Sequence, residues 1–578
     1  MSLTVLIFLA YGKTGEIAFA SFMNLPLVLR INHLSWFFAI AIQTVTTLSV
    51  IFSLSYMKGK ERVDFYYLMM LLCNSAMLGI VLSGDFVSFY IFWEIMSWSA
   101  FLLISYNRGG ALYAGMKYIV MSIIGSMCML IGIMSLYSTY GTLNIREIHD
   151  LISTASGEYL LFISILFLAA FGVKSALWPI HVWLPPAHSE APSPFSAVLS
   201  SILIKMGIYG FVLILYVISG AALYLGLGGG SFRYILTLLA AITIIIPTFN
   251  ALMQDDAKRL LAWSSIAQIG YIILGISIGT SLGLIGGLFH FFNHVAFKAL
   301  LFLAVGAIEY RTGTRDLNSL GGLIKKMPVT FIAVLAGTFG LIGIPLTNGF
   351  VSKWLIYKTL ILNNHPFLAF AALVGTWGTI LYSYKLIHNI FLGQLPENLE
   401  HTKPAPASMK LPFIILSVVI VLFGILPGIP LKLINLITAS LGFDLLNINI
   451  WGIASESGPL NIINIFAAFA VALIVVWFFF LISGKKVVIS QDNSYAAGID
   501  VPKGKYHYTV DFYNPMFRMI KPYFRDYMDE FYSQLVKALA SLSDRVRRLY
   551  CGDLGVYVIY IVLFLSILVI SKIGLNLW

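Results

Sequence analysis

Apolar runs of membrane length alternate with short polar turns along most of this chain. They fall at 33–57, 65–83, 86–106, 113–137, 158–188, 194–218, 232–252, 260–279, 282–308, 328–362, 367–392, 411–430, 461–483 and 554–574. A helix rises about 1.5 Å per residue and the hydrocarbon core of a bilayer is about 30 Å thick, so roughly twenty apolar residues make one span. The pattern predicts an all-α polytopic membrane protein of about fourteen transmembrane helices. The opening run, MSLTVLIFLA, is too short to span and no signal-peptide cleavage pattern follows it, so residues 1–32 are read as an N-terminal segment.

Two runs break the pattern. Run 158–188 contains KSALWPIHVWLPPAH, and run 328–362 contains GIPLTNGFVSK. Each is too long for one straight helix and is interrupted by Pro or Gly near its middle. A helix break at membrane depth is tolerated only where protein or a watery cavity solvates the freed backbone. A matched pair of such breaks, each with a lysine beside it, points to inverted repeats with the working site at the breaks. The core is expected over 33–483.

Beyond it the character changes. Residues 484–515 are polar with Gly and Pro and read as a linker. In 516–550, Phe517, Ile520, Phe524, Met528, Phe531, Leu535, Leu539 and Leu542 recur at three- and four-residue steps. That spacing predicts an amphipathic helix of about 50 Å, kinked at Pro522, lying on a membrane surface or on partner subunits. A last span lies within 551–578.

Composition agrees. Of 578 residues 59% are hydrophobic and 11% charged, against about a quarter charged in soluble domains. The net charge of +11 would suggest nucleic acid in a soluble chain. Here the bases segregate. Alternating spans place Lys58, Lys60, Arg62, Arg108, Lys258, Arg259, Arg311, Arg315, Lys325, Lys326, Lys403 and Lys410 on one side, and Arg146, Arg233 and Lys432 on the other. The positive-inside rule makes the first side cytoplasmic, with both termini outside and the linker and amphipathic helix inside. Cys73, Cys128 and Cys551 lie far apart, which argues against zinc, iron–sulfur or disulfide modules. No phosphate-binding glycine loop follows a predicted strand.

Ionisable residues inside spans are costly and therefore functional candidates. They are Glu94, Lys174 before the first break, Lys205, the stripe His290, His294 and Lys298, and Lys353 after the second break. Lys117, Lys358 and Lys385 lie nearer span ends, where snorkelling or a structural hydrogen bond explains them. Lys353 has a structural alternative too, bonding the carbonyls that the break frees. The pair His290 and His294 has the spacing of a metal or haem site. No carboxylate or thiol lies nearby in sequence, however, and Lys298 one turn on disfavours a cation. Protons suit the set better. Histidine titrates near neutrality, and a lysine taken out of water gives up its proton more readily. A glutamate whose distance to a lysine changes then acts as a switch, with Glu94 and Lys174 as the pair. Sodium would call for several hard oxygen ligands.

The segments WEIMSWSAF, GVKSALWPIHVWLPPAHSEAPSPFSAVLSSILIKMGIYG, SSIAQIGY, NHVAFKALLFLAVGAIEYRTGTRDLNSLGGLIKKMP and GFVSKW resemble the antiporter-like, proton-pumping subunits of respiratory complex I, multisubunit sodium/proton antiporters and membrane-bound hydrogenases. LPPAHSEAPS, IKMGIYG and TGTRDLNSLGG are most similar to the hydrogenase, formate hydrogenlyase and sulfane reductase branch. The resemblance covers about residues 30–480, and more loosely the C-terminal helices. It implies two inverted five-helix repeats and a proton relay through Glu94, Lys174, Lys205, His290, His294, Lys298 and Lys353. It also implies no redox cofactor in this chain, a C-terminal lateral helix, and partners among the membrane subunits of a redox complex, including further antiporter-like subunits. The chain starts near the third span of the family pattern. Ser126 lies near a position acidic in some members, and Pro186 stands where aspartate is common. The competing readings are an inactive scaffold and one component of a cation/proton antiporter.

Overall fold

The structure, a computed structural model, describes residues 14–226, 230–454, 458–483, 513–520, 522–523, 526–547, 550 and 552–575. The opening apolar run and nearly all of the expected linker lie outside these residues. The chain divides into two compact units, Met1–Phe524 and Arg525–Trp578.

The first unit begins with a hairpin that the hydropathy pattern did not announce. β1 (Gly15–Phe22) pairs antiparallel with β2 (Leu25–Ile31). The two linking residues, Met23 and Asn24, have φ of 48° and 66°, the sign that tight hairpin turns require. Asn32 then opens α1 (His33–Tyr56) through a capping box with Ser35. Next come α2 (Val63–Leu82), α3 (Phe86–Ile104), α4 (Gly110–Tyr140), the short α5 (Ile145–Ile152) and α6 (Gly157–Ser175). After α6 the chain breaks, forms α7 (Leu184–Glu190) and turns into α8 (Ser193–Ile218). The short α9 (Gly220–Gly226) leads to α10 (Ser231–Leu252), α11 (Ala257–Ser277) and α12 (Ser281–Thr312). The second break separates α13 (Pro328–Ile342) from α14 (Asn348–Leu362). The unit continues with α15 (Pro366–Phe391), α16 (Ala407–Ile425), α17 (Gly428–Ser440), three short strands between Asn447 and Asn461, and α18 (Ile462–Ser483).

Thirteen helices among the described residues are long and apolar enough to cross a membrane. The predicted run 328–362 is present as two halves of 15 residues each, so all fourteen predicted runs have a helical counterpart. The central element is α12, which packs against α1, α8, α11, α13, α14, α16 and α17. The apolar window of α11 is 100% buried and those of α8 and α12 are 94% buried, whereas those of α18 and the last helix are 0% buried. Polar side chains on α8, α11 and α12 are thus held away from lipid by protein.

The predicted C-terminal amphipathic helix is divided. The helix α19 (Asn514–Ile520) ends just before Pro522, and α20 (Tyr527–Arg547) starts afresh. Proline removes a backbone donor and clashes with the preceding turn, so the expected kink is a break. Its 21-residue helix is about 31 Å long. In the second unit α20 buries none of its side chains, and α21 (Leu554–Leu575) is the last apolar helix.

Candidate functional site

Both breaks end a helix in a left-handed residue. At the first, Ala176 has φ 54° and stops α6 just after Lys174 brings its ammonium inward. Lys174 is 2% exposed. Its Nζ donates to Ser97 Oγ at 2.9 Å and to Tyr118 OH at 3.0 Å, and lies over the Trp93 and Tyr118 rings. Ser97 is one helical turn from Glu94, so α3 presents the carboxylate and the acceptor of the lysine side by side. No ion pair joins Glu94 to Lys174, and Glu94 Oε1 is buried with no hydrogen-bond partner. The lysine is held by neutral oxygens within a turn of an unpaired carboxylate.

At the second break, α13 ends at Gly343, with φ 85°. Lys353, on α14, donates to the carbonyls of Leu341 and Ile342, each at 3.1 Å, and to Thr376 Oγ1 at 3.4 Å. Its ammonium stands 4.8 Å from the Tyr271 ring centre. The last carbonyls of a helix lack amide partners and carry partial negative charge, so a cation is well placed there. The structural alternative for Lys353 is therefore realised, in a residue that also faces the centre of the molecule.

Between the breaks, α8 and α12 carry the remaining candidates. Lys205, fully buried, follows a π-helical stretch at Leu199–Leu203 and donates to the Ser200 carbonyl. Such wide turns recur at functional sites. Lys298 donates to Leu261 O at 3.0 Å and to Ser264 Oγ. His290 places Nδ1 2.9 Å from Ser352 Oγ and Nε2 3.0 Å from Gln268 Oε1. His294 is fully buried, packs its ring on Phe297, and has no hydrogen-bond partner at either nitrogen.

These partners expose what the sequence reading missed. Leu261, Ser264, Ser265, Gln268 and Tyr271 form one stripe of α11, and that stripe joins the row. Ser264 takes Lys298, and Ser265 bonds Ser200 across 2.8 Å, beside the carbonyl that takes Lys205. Gln268 takes His290, and Tyr271 underlies Lys353. The segment SSIAQIGY was legible only as a family motif, because serine and glutamine are unremarkable in a span. Their three- and four-residue spacing was the available signal.

A charged cluster also forms from residues assigned only to loops. Lys258 is 2% exposed and binds Ala191 O at 3.0 Å and Glu309 Oε2 at 3.4 Å. Arg315 reaches Asp256 Oδ2 and Ser189 O, each at 2.5 Å. Next to Ser189, His188 is fully buried and stacked on Phe302, with neither ring nitrogen hydrogen-bonded. Two of the span-end lysines make structural bonds. Lys385 binds the Leu252 and Gln254 carbonyls and Asp255 at the end of α10, and Lys358 binds the Gly458 carbonyl.

Two broken helices and a buried row of lysines and histidines between them define a polytopic membrane protein with a polar core. The chain belongs to the family described as NADH:quinone oxidoreductase/Mrp antiporter, TM, which it matches over residues 83–379. Residues 17–67 match the N-terminus of chain 5 of NADH-ubiquinone oxidoreductase (complex I). It is 36% identical over 416 residues to a component of the Na(+)/H(+) antiporter of Bacillus subtilis (strain 168), covering 67% of this chain and 50% of that one. The chain thus spans half the length of that relative. It is 32% identical over 394 residues to NADH-quinone oxidoreductase subunit N of Desulforudis audaxviator, covering 65% of this chain and 77% of that one. Among solved structures, a chain of the membrane-bound sulfane sulfur reductase, an archaeal respiratory membrane complex, superposes with a TM-score of 0.88. The two are 30% identical, over 98% of this chain and 94% of that one.

Proposed function

We propose that this chain is the proton-translocating, antiporter-like subunit of a redox-driven membrane complex, with H⁺ passing along Glu94, Lys174, Lys205, His290, His294, Lys298 and Lys353. The observation that carries the reading is the buried row itself. Ionisable groups alternate along it with polar atoms that have no protein partner, among them Glu94 Oε1, Gln268 Nε2 and both nitrogens of His294. A buried polar atom without a partner costs about 1–3 kcal/mol, so such atoms persist where they serve a function. Lys174 beside an unpaired Glu94 has the makings of a switch. Drawing the two into an ion pair holds the proton on the lysine, and parting them releases it towards Lys205.

The proposal includes the arrangement in the membrane. Both termini lie outside, and the 484–515 linker and the 516–550 segment lie on the cytoplasmic side. The partners are membrane subunits of the same complex, some of them antiporter-like, and the redox cofactors sit in other subunits. The likeness to a sulfane reductase chain over nearly its whole length supports a redox complex. The likeness to the Bacillus subtilis Na(+)/H(+) antiporter component favours a second reading, a role in a cation/proton antiporter. The row weighs against a sodium path, because it offers four lysines to one carboxylate and a sodium ion needs hard oxygen ligands.

The test is proton uptake by proteoliposomes holding the assembled complex. Lys174→Ala and Lys205→Ala are each expected to abolish pumping, with assembly intact. Undiminished pumping in both variants would sink the relay, and a sodium requirement insensitive to protonophore would favour the antiporter.

A further inference from the structure

Away from the row, a cavity of about 460 Å³ opens where α13 and α16 begin. Lys325, Lys326 and Lys410 line it together with Thr330 and Thr402. None of the three lysines joins an ion pair among the described residues. The helix α13 starts at Pro328 with no side-chain cap on its first turn, so the positive end of its dipole is left to whatever occupies the cavity. Thr330 is 1% exposed, lines the cavity and has no hydrogen bond from its hydroxyl. A buried hydroxyl, an uncapped helix start and three unneutralised ammonium groups around one cavity together suit a phosphate.

Its position indicates which phosphate. Both helices run from this cavity into apolar, outward-facing surface. Ile332 on α13 and Leu411, Ile414 and Val418 on α16 are all exposed, and Leu411 directly follows Lys410. A headgroup in the cavity therefore lies in line with a surface that acyl chains can cover. Basic pockets between membrane helices hold anionic headgroups in this way. We infer that the cavity binds the phosphate of an anionic phospholipid, with Lys325, Lys326 and Lys410 as its counter-charges and Thr330 as a hydrogen-bond donor.

The experiment uses the purified full-length chain in detergent, titrated with phosphatidylglycerol or phosphatidylcholine and read by native mass spectrometry. Phosphatidylglycerol is expected to be retained in preference to phosphatidylcholine. A lysine near a phosphate surface is worth about fivefold in affinity. The triple variant Lys325→Gln/Lys326→Gln/Lys410→Gln should then lose about a hundredfold for phosphatidylglycerol and nothing for phosphatidylcholine. Thr330→Val, which keeps every charge and nearly the same shape, should lose a few-fold and guards against misfolding of the triple variant. Equal retention of the two lipids, or unchanged retention in both variants, overturns the site. Displacement by inorganic phosphate at low micromolar concentration makes the ligand a free phosphate and overturns the lipid assignment. Exclusion of phosphatidylglycerol by an acidic segment of a partner in the assembled complex does the same.

Discussion

Gln268 faces His290 with its side-chain oxygen, 3.0 Å from Nε2, while Ser352 occupies Nδ1. The Ser352 hydroxyl donates to the Gly349 carbonyl, so towards the imidazole it accepts, and Nδ1 carries the proton. A carbonyl at Nε2 then suits the protonated ring, and the amide turned over to present its N–H suits the neutral one. Gln268 can satisfy His290 in both states, as a relay group requires. Gln268→Leu removes that partner, and a hydrogen bond to a charged group is worth about 1.5–3 kcal/mol, or roughly ten- to a hundredfold in rate. Gln268→Glu is expected to slow pumping further, because a buried carboxylate holds the proton on the imidazole. Proteoliposome pumping rates check the order Gln268, then Leu, then Glu; a Glu variant as fast as the parent would exclude His290 from the path. At this scale the sequence showed half of the site. The lysines and histidines stood out because charge in a span is rare. Ser97, Tyr118, Ser264, Ser265 and Gln268 did not, because neutral polar residues in a span carry no such signal until their partners are known.

At the scale of elements, each break is held by a close glycine contact, on α8 packed against α6 at the first and on α14, the second half of the broken helix, at the second. On α8, a Cβ at Gly207 would lie 2.1 Å from Ser175 Oγ and 2.5 Å from the Phe171 carbonyl, against the end of α6. On α14, a Cβ at Gly349 would lie 1.8 Å from the Gly340 carbonyl, against the end of α13. The Ser175 hydroxyl can turn away, but the Phe171 and Gly340 carbonyls are backbone, and no rotamer change relieves those two approaches. They set Lys205 and Lys353 at the level of their breaks, two residues before Gly207 and four after Gly349. Gly207→Ala and Gly349→Ala should each cost about 1–3 kcal/mol and lower pumping, with thermal unfolding in detergent reading the first effect. Gly141→Ala, at a helix end where a Cβ meets nothing within 4 Å, compares the same change without the crowding. It carries only the local strain of a φ of 70°. If Gly207→Ala and Gly349→Ala unfold no earlier than Gly141→Ala, close approach is not what fixes the breaks. The breaks themselves were legible, since Pro and Gly inside an over-long apolar run leave few alternatives. The π-helical turn before Lys205 was not, because the wide turn answers to tertiary packing and leaves no mark in hydropathy. The hairpin at 15–31 was missed for a different reason: its strands are too short and too exposed to register against spans of twenty residues.

For the whole molecule, the span order carries a prediction about sidedness. Among the connections of the 33–483 core, those after α1, α3, α10, α12 and α15, counted with the helix ends that flank them, hold twelve lysines and arginines, and those around Arg146, Arg233 and Lys432 hold three. Some of this charge has local work as well. Lys258 and Arg315 are tied to Glu309, Asp256 and the backbone beside the first break, so they serve the fold whichever side they face. Lys403 is exposed and joins no ion pair among the described residues. It reports orientation free of that ambiguity. Ser153, exposed at the end of α5, marks the opposite loops. In right-side-out vesicles, a membrane-impermeant maleimide should label Ser153→Cys and leave Lys403→Cys unlabelled until the membrane is opened, with the parent chain as the blank for its own cysteines. Inverted vesicles should reverse the pattern. Labelling of both positions from one side would mean that a span has been miscounted between them. A miscount that falls between α6 and α13 would also undo the inverted relation expected of the two breaks, since one helix too many or too few there turns antiparallel repeats into parallel ones. Labelling of the two from opposite sides, but with the sides exchanged, would leave the repeats intact and place the basic loops outside against the charge rule.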